Sequence, residues 1–228
     1  MKLNIEKLAS SLGQRYYTLS LMLNIFQQTR QNSIVQIGSE PPRTEYDEYT
    51  LLDIFFKLVE SNRGASYKIF HNSDESTVQT REQKINSYLY KHYSHLSNDI
   101  KIKNINDHNI YNDDKIDVLI LNDIHFPIQE LISLTKRGDE NYIETQNILS
   151  QYSDEDFMYK FSKIIMPSQE RTLFEFRLFR DNLSKKSTVV LEGNDFPGGA
   201  QTCLVKRELK EMGFICLLDT KQSIWFRS

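Results

Sequence analysis

Short apolar, β-branched runs alternate with helical patterns along this chain, and that alternation restricts the fold more than any other feature. Ile34-Val35-Gln36-Ile37, Tyr67–Phe70, a weaker run at Ile100–Ile105, Asp117-Val118-Leu119-Ile120-Leu121 and Thr188–Leu191 each read as a strand. Near-continuous apolar strands separated by helices imply a mainly parallel sheet covered on both faces. Phe214–Leu218 and Ser223–Phe226 flank Asp219-Thr220-Lys221-Gln222 and read as a closing hairpin. That hairpin predicts one antiparallel strand, placed at the sheet edge.

The intervening segments carry helical periodicity. Leu8, Leu12, Tyr16, Leu19, Met22, Leu23 and Phe26 form one apolar stripe, so residues 1–32 read as an N-terminal helical segment. Pro41-Pro42 forbids helix just after the first strand, and Thr50–Val59 restarts one that stops near Asn62-Arg63-Gly64. Further helices are expected from Thr77 to about Tyr93, over 128–136, and from Ser168 to about Arg180. In the last of these, either Leu173, Phe176 and Phe179 or Phe174 and Leu178 face inward; Phe174, Phe176 and Phe179, like Tyr16-Tyr17, read as core. Gly198-Gly199 opens a final helix, with Leu204, Val205, Leu209 and Met212 on one face and Gly213 closing it. Residues 137–160 are polar and read as an insertion within one domain spanning 1–228.

Composition narrows the function. The chain has 228 residues, 28 basic and 31 acidic, for a net charge of −3. A nucleic-acid footprint needs a basic face, so that class is not expected. No apolar run approaches the ~18 residues that span a bilayer, and the opening residues Met1–Lys7 lack a signal-peptide core. Two cysteines, Cys203 and Cys216, make neither a disulfide framework nor a Cys-rich zinc site. The expectation is a cytoplasmic protein acting on a small molecule, with no membrane or nucleic-acid partner and with a homodimer as the assembly to test.

In sheets of this kind, ligands lie beyond the carboxyl ends of the central strands. Gln36-Ile37-Gly38-Ser39-Glu40 supplies a glycine that lets a ligand approach the backbone, although one glycine after a strand is commonly just a turn. His71-Asn72-Ser73-Asp74-Glu75 offers Asp74 to ribose hydroxyls, against the simpler reading that Asp74 and Glu75 cap the next helix. Asn122-Asp123-Ile124-His125 gathers Asn, Asp and a titratable His at the same edge. Glu192-Gly193-Asn194-Asp195 is the densest polar stretch after a strand. Asn122, His125, Glu192 and Asp195 together could ligate a hard cation or form an acid–base pair. His92 and His95 read as a solvated helix face.

Several stretches resemble the class I S-adenosylmethionine-dependent methyltransferases, within them the group of macrocin-type and catechol-type O-methyltransferases and cephalosporin-hydroxylase-like proteins. Arg15–Leu19 leading to Ile34–Gly38 is similar to that group's first helix and strand. Asp47–Leu51, Ile116–Leu121 and Pro167–Glu170 resemble its first sheet-helix start, its fourth strand and a later helix start. Leu191–Gly199 with Asp219–Trp225 is similar to its Asp-Asp-Asn-Asp-Leu-Pro-Gly-Gly stretch and final Gln-Ser-Leu-Trp hairpin, and is the most specific block. The resemblance covers about residues 12–228, with the insertion unmatched. It implies an α/β, Rossmann-like, seven-stranded, mainly parallel sheet and methyl transfer to an oxygen of a small metabolite or natural-product intermediate. It implies S-adenosylmethionine held by Gln36, Gly38, Ser39, Glu40, His71, Asp74, Asn122 and Asp123, with His125 and Asp195 as catalytic residues.

The chain also departs from that pattern. Gln36, His71 and Asn122 stand where the group has Glu, Asp and Asp; Gly193 replaces a second Asp, and Arg171 and Thr172 replace His residues. Loss of charge at Asn122 and Gly193 argues against a divalent metal, which depends on anionic oxygens. Neutralised positions also fit a catalytically degenerate methyltransferase fold that serves as a binding or scaffold partner. A metal-dependent enzyme using Asn122, His125, Glu192 and Asp195 is the third reading.

Overall fold

The structure is a computed structural model, and it describes residues 32–38, 56, 59–60, 64–71, 75–105, 115–121, 155–191, 202–219 and 222–228. Seven strands form one sheet: β1 (Ser33–Ile37), β2 (Ser66–His71), β3 (Ile100–Asn104), β4 (Ile116–Leu121), β5 (Leu183–Leu191), β6 (Ile215–Asp219) and β7 (Ser223–Arg227). The helices described from end to end are α1 (Glu75–Tyr93), α2 (Glu155–Arg180) and α3 (Cys203–Glu211), with a 3-10 turn at Ser94–Leu96 after α1. The order across the sheet is β3-β2-β1-β4-β5-β7-β6. β1 to β5 pair in parallel, whereas β7 runs antiparallel to both β5 and β6. This is the expected seven-stranded, mainly parallel α/β sheet with one antiparallel strand.

One detail of the expectation is corrected. The antiparallel strand is not at the edge: β7 lies between β5 and β6, and β6 is the edge. Burial explains the choice. Ile224 and Trp225 of β7 are 0% and 2% exposed, whereas Ile215 and Leu217 of β6 are 64% and 45% exposed. The strand that can fill both faces of the sheet takes the interior place.

Alternation along the strands divides the core in two. Ile34, Tyr67, Ile69, Val118, Ile120 and Ile224 face one layer, where Phe56, Val59 and the α1 residues Ile85, Leu89 and Tyr93 pack on them. Phe56 meets Tyr93 edge-on at 5.2 Å and Tyr67 at 6.2 Å. Val35, Ile37, Phe70, Leu119, Leu121 and Trp225 face the other layer, under Phe176 and Phe179 of α2 and Val205 and Leu209 of α3.

α2 begins earlier than expected, at Glu155 rather than near Ser168, and so takes in the last residues of the expected insertion, with Pro167 inside the helix. Proline removes one helical hydrogen bond. The buried stripe Ile165, Ser168, Thr172, Phe176 and Phe179 runs past it at three- and four-residue steps, and tertiary packing outweighs the local break. Phe176 and Phe179 face inward, but Phe174 is 58% exposed and is not core. β5 also starts earlier than expected, at Leu183; Ser184 is half-buried and Lys185 and Lys186 are exposed, so that segment carries no apolar signal. The expected helix opening at Gly198-Gly199 is described from Cys203 onward. Its far end forms a Schellman cap: Phe214 N donates to Leu209 O at 2.9 Å, Gly213 N to Lys210 O at 3.0 Å, and Gly213 sits at φ 82°. No described helix is long and apolar enough to cross a membrane. The expected helices at 1–32 and 128–136, and most of the insertion, lie outside the described residues.

Candidate functional site

The register lines up the carboxyl ends of four parallel strands with the start of the antiparallel β7. Phe70 pairs with Ile37, Ile37 with Leu121, Leu121 with Leu191, and Leu191 with Ser223. The loops after β1, β2, β4 and β5 therefore leave the sheet from one line. The strand order reverses between β1 and β4: β2 and β3 lie to one side, β5, β7 and β6 to the other. A crevice opens at such a switch point because neighbouring connections depart to opposite faces.

Gly38 stands at that point. Its φ of 73° is in the left-handed region, which glycine adopts without the Cβ penalty. Its N–H donates to Phe70 O at 2.7 Å, which carries the β1–β2 ladder one residue past the strand. Its carbonyl accepts a hydrogen bond from Gln36 Nε2. Gln36 is itself buried, and its Oε1 accepts from the Tyr67 hydroxyl at 2.6 Å. Burial pushes the Tyr67 phenol well above its ordinary pKa of 10.0, so it stays a neutral donor. Thus both ends of the Gln36 amide are engaged within the chain.

His71 closes β2 on the face shared by Tyr67 and Ile69, and is 0% exposed. Its carbonyl accepts from Ile105 N at 3.0 Å, which ties the end of β2 to the end of β3. The other sequence-derived candidates, Ser39, Glu40, Asp74, Asn122, Asp123, His125 and Asp195, lie outside the described residues, as do Glu192 and Asn194. Of the candidates, the structure brings Gln36, Gly38 and His71 to the shared edge. Among the described residues, no group of three or more His, Cys, Asp or Glu side chains gathers as a metal site.

Some polar residues near the site had escaped sequence reasoning. Gln222 and Ser223 are 3% and 0% exposed; Ser223 begins β7 beside Leu191, and Gln222 precedes it. Ser223 Oγ accepts from Trp225 Nε1 at 3.1 Å, which helps fix that corner. On α2, Ser168, Thr172 and Glu175 are buried at i, i+4 and i+7, a polar row inside an apolar stripe. That spacing was the signal available in the sequence. α2 ends at the amino edge, where Ile116 N donates to Asn182 O at 2.8 Å, so its earlier turns lie toward the carboxyl edge. Thr172 Oγ1 donates to Ser168 O at 2.8 Å, and Arg171 pairs with Glu175 at 3.1 Å. The two positions where the resembled group has His are thus bonded within this helix.

No family model matches the chain. No curated protein matches it either. Among solved structures, it is similar to the METTL16 methyltransferase domain in its delta-N form, at 10% identity and a TM-score of 0.41, covering 86% of this chain and 71% of that one. It is also similar to the pyocyanin biosynthetic protein PhzM, at 10% identity and a TM-score of 0.35, covering 95% of this chain and 59% of PhzM. Likenesses of this size carry no argument about activity.

Proposed function

We propose that this chain transfers a methyl group from S-adenosylmethionine to an oxygen of a small metabolite or natural-product intermediate. The observation that carries the proposal is Gly38, held in a left-handed turn at the carboxyl end of β1, at the point where the strand order reverses. A ligand can approach the backbone closely there, because no Cβ stands in the way. The antiparallel β7 within a seven-stranded sheet supports the same reading, since the sequence resemblance implies that architecture. The described residues at this edge that fit an adenosyl ligand are the Gly38 turn, open to close approach, and the buried His71, whose imidazole can hydrogen-bond a ribose hydroxyl.

When bound, S-adenosylmethionine supplies an electrophilic methyl on sulfonium. Gly38, Ser39 and Glu40 would receive the cofactor along the first loop. His71 or Asp74 would meet the ribose, where an imidazole accepts one hydrogen bond and a carboxylate two. Asn122 and Asp123 would lie toward the methionine end. His125 or Asp195 would take the acceptor hydroxyl proton as the oxygen–carbon bond forms and the sulfur–carbon bond breaks. The protein's main contribution is to hold donor and acceptor at attack distance. No role is assigned to a divalent metal, because Asn122 and Gly193 stand where the resembled group has carboxylates.

Titration calorimetry of the folded protein with S-adenosylmethionine and S-adenosylhomocysteine tests this. Saturable heat in the micromolar range supports it; silence toward both at high micromolar ligand overturns it. Silence would favour the scaffold reading, which the engagement of both ends of Gln36 inside the chain already motivates.

A further inference from the structure

We propose that Tyr67 and Gln36 form a buried relay that fixes the direction in which the chain leaves β1 at Gly38, and through it the affinity of the crevice for an adenosyl ligand. The ligand is taken from the methyltransferase reading; the geometry stands on three hydrogen bonds.

Glycine is the softest joint a backbone can have. At Gly38 both neighbouring peptide groups are nevertheless held. The peptide before it is fixed through its N–H, which donates to Phe70 O at 2.7 Å. The peptide after it is fixed through its carbonyl, which accepts from Gln36 Nε2. With φ at 73°, holding that carbonyl sets ψ and so aims the next residue. Gln36 is in turn oriented by Tyr67, whose hydroxyl donates to Oε1 at 2.6 Å. Tyr67 is 0% exposed, wedged against Phe56 in the first core layer. The order is therefore core, phenol, amide, turn.

The relay also accounts for the amide. A side chain between a phenol donor and a carbonyl acceptor needs one acceptor end and one donor end. Glutamine has both. The glutamate that the resembled group has here would accept from Tyr67 but, when ionised, would face the Gly38 carbonyl with a second acceptor. Gln36 and Tyr67 are thus positioning residues that act through Gly38. A pre-aimed turn lowers the ordering cost of binding.

Calorimetry with S-adenosylhomocysteine, on wild type, Tyr67→Phe and Gln36→Glu between pH 5 and 9, tests the relay, with circular dichroism to verify folding. Tyr67→Phe is expected to bind roughly tenfold more weakly, the scale of one buried hydrogen bond. Gln36→Glu carries the readout that a merely structural role would not move. Protonated, the introduced carboxyl reproduces the amide pattern, so affinity is near wild type at low pH. As it ionises, affinity falls relative to wild type. Tyr67 and His71 of β2 and Tyr88 and Tyr93 of α1 are the described titratable groups in this layer, and all are common to the two proteins, so the difference between profiles isolates position 36. Wild-type affinity in Tyr67→Phe, or a flat affinity ratio between Gln36→Glu and wild type, overturns the relay. Absence of binding by folded wild type overturns the methyltransferase reading, and the relay with it.

Discussion

Asp117 and Ser33 are 84 residues apart in sequence, yet Asp117 Oδ2 accepts the Ser33 backbone N–H at 3.2 Å and the neighbouring Asn32 N–H at 2.8 Å. One carboxylate oxygen on β4 thereby closes the amino end of β1. These two strands flank the point where the strand order reverses. They are pinned at the amino edge by this acid, and β1 is tied at the carboxyl edge by the Gly38 turn.

Replacing Asp117 removes an acceptor shared by two backbone donors. Asp117→Ala is expected to cost about 1–2 kcal/mol, since hydrogen bonds to charged groups exceed neutral ones. Asp117→Asn keeps a carbonyl acceptor and should cost less. Urea unfolding midpoints of wild type and the two variants measure the differences; a midpoint for Asp117→Ala equal to wild type would show that the bond contributes nothing.

Gly213 tests backbone conformation without steric interference. A Cβ there would meet nothing within 4 Å, yet φ is 82°. Gly213→Ala should therefore cost about 1 kcal/mol from the left-handed backbone alone. Asn should cost less than Ala, because it tolerates that region better. The order Gly, Asn, Ala in thermal midpoint is the expected result.

Phe176 lies fully buried beneath the second face of the sheet. Phe176→Ala leaves a cavity between α2 and the sheet and should destabilise by about 3–5 kcal/mol. Phe174→Ala, two residues away on the exposed side, should stay within about 0.5 kcal/mol. Paired denaturation curves test both the orientation of α2 and its register past Pro167.

The Tyr67 phenol gives a pH signature. Burial raises its pKa in the folded state above the ordinary 10.0. The folded protein holds that proton more tightly than the unfolded chain does. Its contribution is complete below the unfolded pKa of 10.0 and declines as pH rises above it. Unfolding midpoints measured from pH 8 to 11 should fall more steeply for wild type than for Tyr67→Phe. Parallel curves would contradict this.

The central strands were legible because burial on both faces writes itself as uninterrupted apolar sequence; Ile116–Leu121 is the clearest case. The amino half of β5 was not, because Ser184-Lys185-Lys186 carries no apolar residue and falls at the register shift against β4, between the Ile116–Leu183 and Val118–Thr188 pairs. The start of α2 was hidden by Pro167, a local rule that packing overrode. At the site, Gly38 was readable from its place after a strand. The partner of Gln36 was not: Tyr67 reaches it only because β1 and β2 pair as Ile34 with Tyr67 and Gln36 with Ile69. Register is a tertiary property, and no spacing within one strand encodes it.

The interior place of β7 also sets an order of events. Residues 215–219 are made before 223–227, yet β6 touches the sheet only through β7. As the chain is synthesised, β6 must wait, its backbone donors and acceptors without a ladder, until its successor arrives and carries it in. A slow or arrested synthesis between these two strands would thus leave a nascent chain with an open, adhesive flank.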